Sequence, residues 1–369
     1  MNPPRSTARG RSSALIAIIR GEDRSIRAAC IRAGLGLLEP LYRVGVWVRN
    51  GLFNTGIRRP ADTGVPVISV GNITAGGTGK TPMTIELVQR LKRFGRRPAV
   101  LLRGYGARSV GSALSEETLV LREALGPDVP VEADPSRVEG ARRVLEAHPQ
   151  VDVFVLDDGF QHRQVARAVD LVLVDATDPF GGEHLLPRGL LREPAGSLRR
   201  ADAIVVTRCD QAGIQRTLEC DRRIQDSSGR MPLAHAAYQW TALRDASDKD
   251  LPLTALRRLR IAGVCGIANP ASFERSLRER AGTLIWIEVL DDHQVYDADM
   301  LRGLVSQSLE EGADAIVTTE KDWVKWRGLL SDTEKAVVPV YRPVLQLRFL
   351  DGDQALDALL QGLRRAPMH

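Results

Sequence analysis

A short glycine-rich segment, Gly76–Thr81, constrains the fold of this chain more than any other feature. It reads Gly-Gly-Thr-Gly-Lys-Thr, follows an apolar run at Val65–Val70 and precedes an amphipathic run at Met83–Leu91, so the pattern predicts a strand, a tight loop and a helix. In such loops backbone N–H groups surround phosphates, a lysine reaches the terminal phosphate and a hydroxyl binds Mg²⁺. The alternative is a plain strand-to-helix connection, and the strand-to-helix context of Gly-Lys-Thr favours the phosphate loop.

The spacing of this loop departs from the common G-x-x-x-x-G-K-[ST] pattern. Thr74 stands where the first glycine would be, and Ala75 stands where loops of the K-G-G-x-G-K-T type carry a lysine. Gly76 and Gly77 must therefore supply the tight backbone. We expect the nucleotide-binding loop to comprise Thr74, Ala75, Gly76, Gly77, Thr78, Gly79, Lys80 and Thr81.

Two adjacent carboxylates follow a second apolar run later in the chain. Asp157 and Asp158 come directly after Val153–Leu156, which predicts a buried strand. At a strand end beside a phosphate loop, one carboxylate can hold Mg²⁺ while the other orients it or accepts a proton. Turn chemistry is the alternative, because Asp-Asp-Gly is a common strand exit.

Length and composition indicate two domains in a reducing compartment. The chain has 369 residues, 43% of them hydrophobic, and about 150 residues per domain is the usual prior. Its four cysteines are scattered and form no C-x-x-C pair, so neither a disulfide framework nor a zinc site is predicted.

From about residue 61 onward, apolar runs alternate with helical patterns, which predicts an α/β fold with a mostly parallel sheet flanked by helices. A polar stretch at 245–250 marks a boundary, after which a second, smaller α/β lobe begins. Predicted strands lie at 65–70, 98–102, 151–156, 171–174, 203–207, 261–264, 284–289 and 315–318, and predicted helices at 82–94, 136–147, 271–280 and 300–310.

Residues 1–60 are strongly basic, with eleven arginines, no lysine and three acids, whereas the whole chain carries +5. After Pro40, an apolar face forms at Leu41, Val44, Val48 and Leu52. One interpretation is an interfacial helix whose arginines meet anionic lipid. The other is an amphipathic helix packed on the core. No nucleic-acid motif follows the basic segment, so we predict no nucleic-acid partner.

Other polar positions are candidates only in combination. An arginine at position 192 could neutralise transition-state charge, although Arg192 alone would be read as a surface ion pair. Asp292-His293 could tune a proton-transfer group, while an isolated histidine in a polar loop is usually solvated. Thr207–Asp210 is similar to the base-reading T-K-x-D of GTPases but lacks the lysine, and we interpret it as a strand end.

Several motifs together resemble the tetraacyldisaccharide 4'-kinase family, the lipid A 4'-kinases. The most specific are Val70–Pro82, V-G-N-I-T-A-G-G-T-G-K-T-P, and Leu156–His162, L-D-D-G-F-Q-H. The resemblance spans most of the chain and accounts for the missing first glycine, which the family shares. The other matching segments are Arg103–Gly106, Leu185–Pro194, Asp292-His293 and Thr318–Asp322.

The resemblance implies an enzyme that transfers the γ-phosphoryl of ATP, with Mg²⁺, to the 4'-hydroxyl of a tetraacylated glucosamine disaccharide 1-phosphate. It implies a peripheral protein on the cytoplasmic face of the inner membrane, anchored by its N-terminal helix, without an obligate protein partner. Lys80 would contact the β- and γ-phosphates, and Thr81 and Asp157 the Mg²⁺. By motif, the resemblance assigns Asp158, Arg192 and His293 to catalysis and Asn72, Tyr105 and His162 to the substrate.

One segment departs from the family pattern. The family usually carries Gly-Asp-Glu-Pro after Arg-Gly-Tyr, and its aspartate is a candidate base. Here the corresponding stretch is Ser115–Thr118, in which Glu116 keeps a carboxylate but adds a methylene, a displacement of about 1 Å. Either Glu116 serves with a shifted loop, or Asp158 takes the role, or the activity is altered. Gln294 replaces the second histidine of the family's Asp-His-His.

We therefore expect a basic, membrane-associating segment at 1–60, a P-loop kinase domain at 61–243, and a linker with the smaller lobe at 244–369. Two other functions compete with this one. The first is a P-loop switch ATPase that acts with a protein partner and phosphorylates no lipid; Ala75 argues against it. The second is a non-catalytic membrane module that only holds nucleotide, against which the intact Lys80 and Asp157 argue.

Overall fold

The structure is a computed structural model that describes residues 11–104, 115–292, 294–330 and 337–363. These residues form two compact units. The large unit contains residues 18–238 and 347–363, and the small unit consists mainly of residues 239–346.

A parallel sheet organises the large unit, in the order β7-β6-β5-β1-β4-β2-β3. Its central strands are apolar along their whole length and buried on both faces, as parallel strands under helices require. The strands are β1 (Val67–Asn72), β2 (Pro98–Leu102), β3 (Val131–Ala133), β4 (Val153–Asp157), β5 (Val169–Asp175), β6 (Ala203–Thr207) and β7 (Ala234–Arg244), of which the residues after Tyr238 belong to the small unit.

Helices of the large unit pack their apolar faces on this sheet. In the helix that follows β1, Met83, Leu87 and Leu91 recur every four residues and are fully buried. The helices up to this point in the chain are α1 (Arg11–Arg20), α2 (Ile26–Asn54), α3 (Lys80–Arg93), α4 (Glu116–Leu125), α5 (Arg137–Ala147) and α6 (Cys209–Ser228).

The small unit repeats the same architecture with its own core. Its strands follow the order β10-β9-β11-β12 and pair in parallel, while a short strand, β8, pairs antiparallel with β7. Its elements are β8 (Asp250–Leu251), β9 (Arg260–Cys265), α7 (Pro270–Arg280), β10 (Thr283–Val289), α8 (Ala298–Glu310), β11 (Ala315–Thr318), α9 (Glu320–Trp326) and β12 (Val340–Asp351), of which the residues after Gln346 belong to the large unit. The predicted α/β class with a mostly parallel sheet and a smaller second lobe is confirmed.

The unit boundaries differ from the predicted 61–243 and 244–369. The last helix, α10 (Asp353–Gln361), buries Leu356 and Leu360 in the core of the large unit. Arg90 of α3 is itself buried and forms ion pairs with Asp353 and Asp357 of this helix. Apolar burial and these charges therefore assign the C-terminal segment to the large unit, which periodicity along the chain alone did not indicate.

The helix α2 buries a carboxylate and exposes large apolar side chains. It begins at the cap Ser25, contains Pro40 and runs for 29 residues. The residues that it buries include the carboxylate Glu39. Its exposed side chains include large apolar ones, namely Ile26, Leu37, Leu38, Leu41, Val44, Trp47 and Val48. Within the described residues, the apolar face of this helix therefore does not pack on the core. The interpretation of a helix packed on the core, one of the two that the sequence allowed, is thus wrong.

Two buried carboxylates attach α2 to the rest of the large unit. Glu39 accepts from Arg43 at 2.6 Å, from the Leu185 backbone N–H at 3.3 Å, and contacts His184 Nδ1 at 3.0 Å. Further along, Asn50 donates to Glu193 at 2.9 Å. None of the helices in the described ranges is both long enough and apolar enough to cross a membrane.

Candidate active site

The glycine-rich loop connects β1 to α3 and is held at its entrance by a distant segment. The Ala75 N–H donates to the Leu190 carbonyl at 2.6 Å, and the Arg192 N–H donates to the Ile73 carbonyl at 2.7 Å. Thr74 pairs antiparallel with Leu191. Because the Ala75 amide is already used, this residue shapes the loop entrance. The pairing also places the Arg192 side chain beside the loop.

Left-handed glycines give the loop its curvature. Gly76 has φ 118°, and Gly79, the residue that caps α3, has φ 88°. Residues with a Cβ rarely adopt these backbone angles, so glycine is required at both positions. The chain then enters α3 at Lys80, and the first N–H groups of a helix are unpaired donors that favour an anion.

The two aspartates stand at the end of β4, next to β1. Asp157 is opposite Val70 in the parallel pairing, so both strands present their carboxyl ends at the same edge of the sheet. Asp158 follows in the left-handed region with φ 50°, a conformation that costs energy for a residue other than glycine. This turn directs the two neighbouring carboxylates to different partners.

Asp158 forms ion pairs with two basic residues of the site, Arg192 and Lys80. Its carboxylate accepts from Arg192 Nη1 at 2.9 Å to each oxygen and lies 3.5 Å from Lys80 Nζ. These two cations outweigh burial and lower the pKa of Asp158, so it is ionised at neutral pH. Two positive groups that could meet phosphate oxygens are thus held together by one carboxylate.

Asp157 is in a different environment. It is buried, and Thr84 Oγ1 donates to it at 2.8 Å. Burial raises its pKa to about 6, with smaller contributions that raise it from Asp158 and Glu117 and lower it from Thr84 and Lys80. A buried carboxylate of this kind gains most from a cation placed beside it.

A polar group next to Lys80 has an incomplete hydrogen-bond set. Asn72 is fully buried at the end of β1, its Oδ1 lies 3.4 Å from Lys80 Nζ, and its carbonyl accepts from Gln161 Nε2 at 2.8 Å. The Nδ2 of Asn72 and the Oγ1 of Thr78 are buried with no hydrogen-bond partner among the described residues. Unsatisfied buried donors at a phosphate loop indicate a polar ligand.

His162 has a neutral ring at physiological pH. Burial and the nearby arginines lower its pKa to about 4. Its Nε2 is buried, and no partner for it lies in the part of the chain that the structure describes. The close turn before it depends on Gly71, where an added Cβ would lie 2.5 Å from Phe160 Cβ.

The donor set fits Mg²⁺. Magnesium in nucleotide sites takes one or two carboxylates and completes its shell with phosphate oxygens and water. Asp157 and Asp158 supply such carboxylates, and the described residues hold no cluster of three acidic, histidine or cysteine ligands that would satisfy a metal without a nucleotide. Thr81 lies in the first turn of α3, where a loop hydroxyl is expected.

The segment with the altered motif begins a helix. Ser115 caps α4 by accepting from the Thr118 N–H, and Glu116 and Glu117 occupy its first turn. Glu117 contributes to the raised pKa of Asp157, so its charge acts on the site. Glu117 lies in the Ser115–Thr118 stretch, at the third position of the family's Gly-Asp-Glu-Pro, and the sequence alone gave it no role.

The structure thus brings together Asn72, Lys80, Asp157, Asp158 and Arg192. Tyr105 and His293 lie outside the described residues. Sequence reasoning missed Thr84, whose only signal was a hydroxyl one helical turn after Thr81.

Two of the segments that resemble the family, those that contain Asp292 and Thr318–Asp322, lie against each other within the small unit. Lys321 forms an ion pair with Asp292, and Lys325 Nζ donates to the Gln294 carbonyl at 2.9 Å. Asp322 is fully buried and accepts from Tyr296 OH at 2.9 Å and from the Gly266 N–H at 2.9 Å. The Thr318–Asp322 motif therefore fixes the segment on both sides of position 293.

Known proteins resemble this chain over most of its length. A "Tetraacyldisaccharide 4'-kinase" of Anaeromyxobacter sp. (strain K) is 36% identical over 351 residues, 91% of this chain and 92% of that protein. One of Geobacter sulfurreducens is 36% identical over 357 residues, 92% of this chain and 97% of the relative.

A solved structure agrees with the fold. The crystal structure of LpxK from Aquifex aeolicus in complex with ATP has a TM-score of 0.67 and 26% identity, and covers 90% of this chain and 98% of that one. A family model described as "Tetraacyldisaccharide-1-P 4'-kinase" matches residues 31–364. With the phosphate loop and the Asp-Asp pair at one sheet edge, these matches show that the chain belongs to the LpxK family of tetraacyldisaccharide-1-phosphate 4'-kinases.

Proposed function

We propose that this protein transfers the γ-phosphoryl of ATP to the 4'-hydroxyl of tetraacyldisaccharide 1-phosphate in lipid A biosynthesis. The observation that carries the proposal is the meeting of Lys80 and Arg192 on Asp158, beside a phosphate loop and a second buried carboxylate. Charge balance around a transferring phosphoryl group requires cations held at fixed positions before the nucleotide arrives.

Lys80 and Arg192 act as the cations of this site. In the structure the Asp158 carboxylate holds both, so neither must be reoriented from solvent when phosphate oxygens bind. Lys80 meets the β- and γ-phosphates, and Arg192 neutralises charge that develops on the transferring group. Residues Thr74–Thr81 hold the phosphates through backbone N–H groups, with the Ala75 amide excluded because it already bonds to Leu190.

Magnesium, when bound, would supply positive charge that neutralises the phosphate oxygens during phosphoryl transfer. Thr81 and Asp157 are its proposed ligands, and Asp158 completes the acidic edge. Thr84 fixes the orientation of the Asp157 carboxylate through its hydrogen bond. Its buried hydroxyl therefore helps to hold a proposed metal ligand in position.

Two carboxylates remain candidates for the base that accepts the hydroxyl proton. The ion pairs of Asp158 lower its pKa, which weakens it as a proton acceptor. That favours Glu116, at the start of α4, as the base, with Asp158 organising the cations. Asn72 and His162, together with Tyr105, are the proposed contacts of the glycolipid, and His293 keeps its proposed role in catalysis.

We infer that the exposed apolar face of α2 rests in the surface of the inner membrane, on its cytoplasmic side. The helix turns Glu39 toward the protein and Leu41, Val44 and Trp47 toward solvent. Water opposes this arrangement and a lipid interface favours it. Arginines on the same helix would meet anionic head groups.

Phosphate transfer tests the proposal directly. Purified protein in detergent is mixed with labelled ATP, Mg²⁺ and tetraacyldisaccharide 1-phosphate, and labelled lipid is the expected product. Glu116→Ala should abolish transfer and leave ATP binding intact, whereas Asp158→Ala should also weaken ATP binding. Nucleotide binding with no labelled lipid, or hydrolysis that requires a protein partner, would overturn the proposal in favour of a switch ATPase.

A further inference from the structure

The phosphate loop is held by side chains of β6 and β7 and by Arg208, the residue that follows β6. The Gly77 carbonyl accepts from Arg208 Nη2. The Thr78 carbonyl accepts from Thr207 Oγ1 at 3.2 Å, and Tyr238 OH lies 3.2 Å from the carbonyls of both Thr78 and Gly79. Three successive carbonyls of the loop, at residues 77–79, thus meet side-chain donors.

Fixing these carbonyls also fixes the amides. In a trans peptide the N–H of each residue points opposite to the preceding carbonyl. Anchoring the carbonyls of residues 77–79 therefore directs the N–H groups of residues 78–80 the other way, toward the space that the loop encloses. Phosphate binding by such loops depends on N–H groups that converge in this manner.

The donors are themselves held in place. Arg208 forms an ion pair with Asp175 at the end of β5, and its guanidinium lies 5.8 Å from the centre of the Tyr238 ring. Thr207 is fully buried, and burial raises the pKa of Tyr238 to about 12, so its hydroxyl keeps its proton. The group therefore presents fixed donors to the loop at neutral pH.

Close packing supports the same relationship. A Cβ added to Gly79 would lie 1.5 Å from the Tyr238 hydroxyl oxygen. The tyrosine therefore touches the left-handed glycine at which α3 starts, and no side chain fits between them. This contact joins β7 to the start of the helix that binds phosphate.

We propose that Thr207, Arg208 and Tyr238 form a loop clamp that pre-organises the phosphate loop for nucleotide. They are positioning residues, because they act through loop carbonyls. The segment Thr207–Asp210, which the sequence suggested was only a strand end, thereby acquires a role. The inference rests on the proposed function only in that the loop binds a nucleotide.

Matched variants test the loop clamp. Tyr238→Phe removes one hydroxyl and keeps the ring, and Thr207→Val removes another. Each should weaken binding of a non-hydrolysable ATP analogue with Mg²⁺ by about fivefold to tenfold, as expected for one lost hydrogen bond. Calorimetry supplies the affinity. Thr207→Ser, which keeps the hydroxyl, and Tyr341→Phe, which lies in the small unit, should bind like the parent.

Three further readouts separate positioning from a structural role. The KM for ATP should rise, whereas the KM for the glycolipid should not change. The unfolding temperature measured without nucleotide should stay close to that of the parent. Because both substitutions affect the Thr78 carbonyl, the fold loss of ATP-analogue affinity in the double variant should be smaller than the product of the fold losses in the single variants.

Parent-like affinity in both variants, or equal loss in Thr207→Ser, would overturn the clamp. If the parent binds nucleotide but labels no lipid, the proposed reaction fails while the calorimetric comparison still decides the clamp.

Discussion

Thr84 of α3 donates a 2.8 Å hydrogen bond from Oγ1 to Oδ1 of Asp157 at the end of β4, and both side chains are buried. The bond favours the ionised carboxylate, whereas burial opposes it more strongly, so the pKa of Asp157 stands at about 6. The site therefore keeps a partly destabilised carboxylate whose charge a cation would relieve, and stability is sacrificed there for binding.

Replacing Asp157 with asparagine should stabilise the protein and abolish its activity. The pKa of Asp157 is about 6 when folded and 3.8 when unfolded, so the folded state binds more protons between these values. The free energy of unfolding therefore falls as pH rises from about 3.8 to about 6. At pH 7.5 Asp157→Asn should be more stable by about 1–3 kcal/mol in urea unfolding.

The difference should nearly vanish at pH 4, where the parent carboxyl is protonated in the folded state. Asp128→Asn, at an exposed position, serves as the control and should show no such pH dependence. An equal offset at both pH values would contradict the charge argument and indicate a packing effect.

Thr84→Val should weaken the binding of Mg²⁺ to the active site. The substitution keeps the shape of the side chain but leaves a buried carboxylate without its donor. We expect the Mg²⁺ concentration for half-maximal activity to rise about tenfold, in the range found for supporting residues of metal sites. Thr84→Ser should restore it. A fall in kcat at saturating Mg²⁺ with unchanged half-saturation would show that Thr84 does not act through the metal.

Arg192→Gln should lower kcat by about 100-fold with little effect on the KM for lipid, because a fixed cation acts on charge that develops in the transition state. Stability should change little, since the Arg192 backbone keeps its bonds to Ile73 and Tyr42. Initial rates at saturating ATP measure the effect. Arg199→Gln, in the same segment but exposed, should retain parental activity. Equal loss in both variants would remove the special role of Arg192.

The sequence predicted local elements well because their causes are local. Apolar runs gave β2, β6 and β11 with the observed bounds, and glycine spacing located the phosphate loop. Contacts set by sheet order were not predictable in this way. Tyr238 contacts Gly79 only because β7 and the loop after β1 are brought together by the order of strands in one sheet. The sequence near either residue does not predict this contact. Similarly, the partners of Arg90 lie at positions 353 and 357, far along the chain.

Leu41→Glu should reduce binding to vesicles that contain anionic phospholipid. Leu41 is 71% exposed on α2, and loss of a leucine that inserts into lipid costs about 1.5–3 kcal/mol, so partition should fall about tenfold or more. Vesicle co-sedimentation measures this, and activity on detergent-dispersed substrate should persist. Leu309→Glu, at an exposed position of α8, is the matched control. Equal binding by both variants would mean that α2 does not carry the membrane contact.

Glu193→Ala should destabilise the large unit through the attachment of α2. Glu193 is fully buried and bonds to Asn50 and Arg200, with Arg49 at 3.1 Å. Its removal leaves positive groups facing a buried gap, which costs about 3–5 kcal/mol when a buried pair is broken. Urea unfolding measures the loss, and limited proteolysis should release α2 earlier. Glu219→Ala, on the exposed side of α6, should unfold like the parent. If Glu193→Ala did so too, the contacts of Glu193 would not anchor the helix, and the attachment of α2 would rest on the contacts of Glu39.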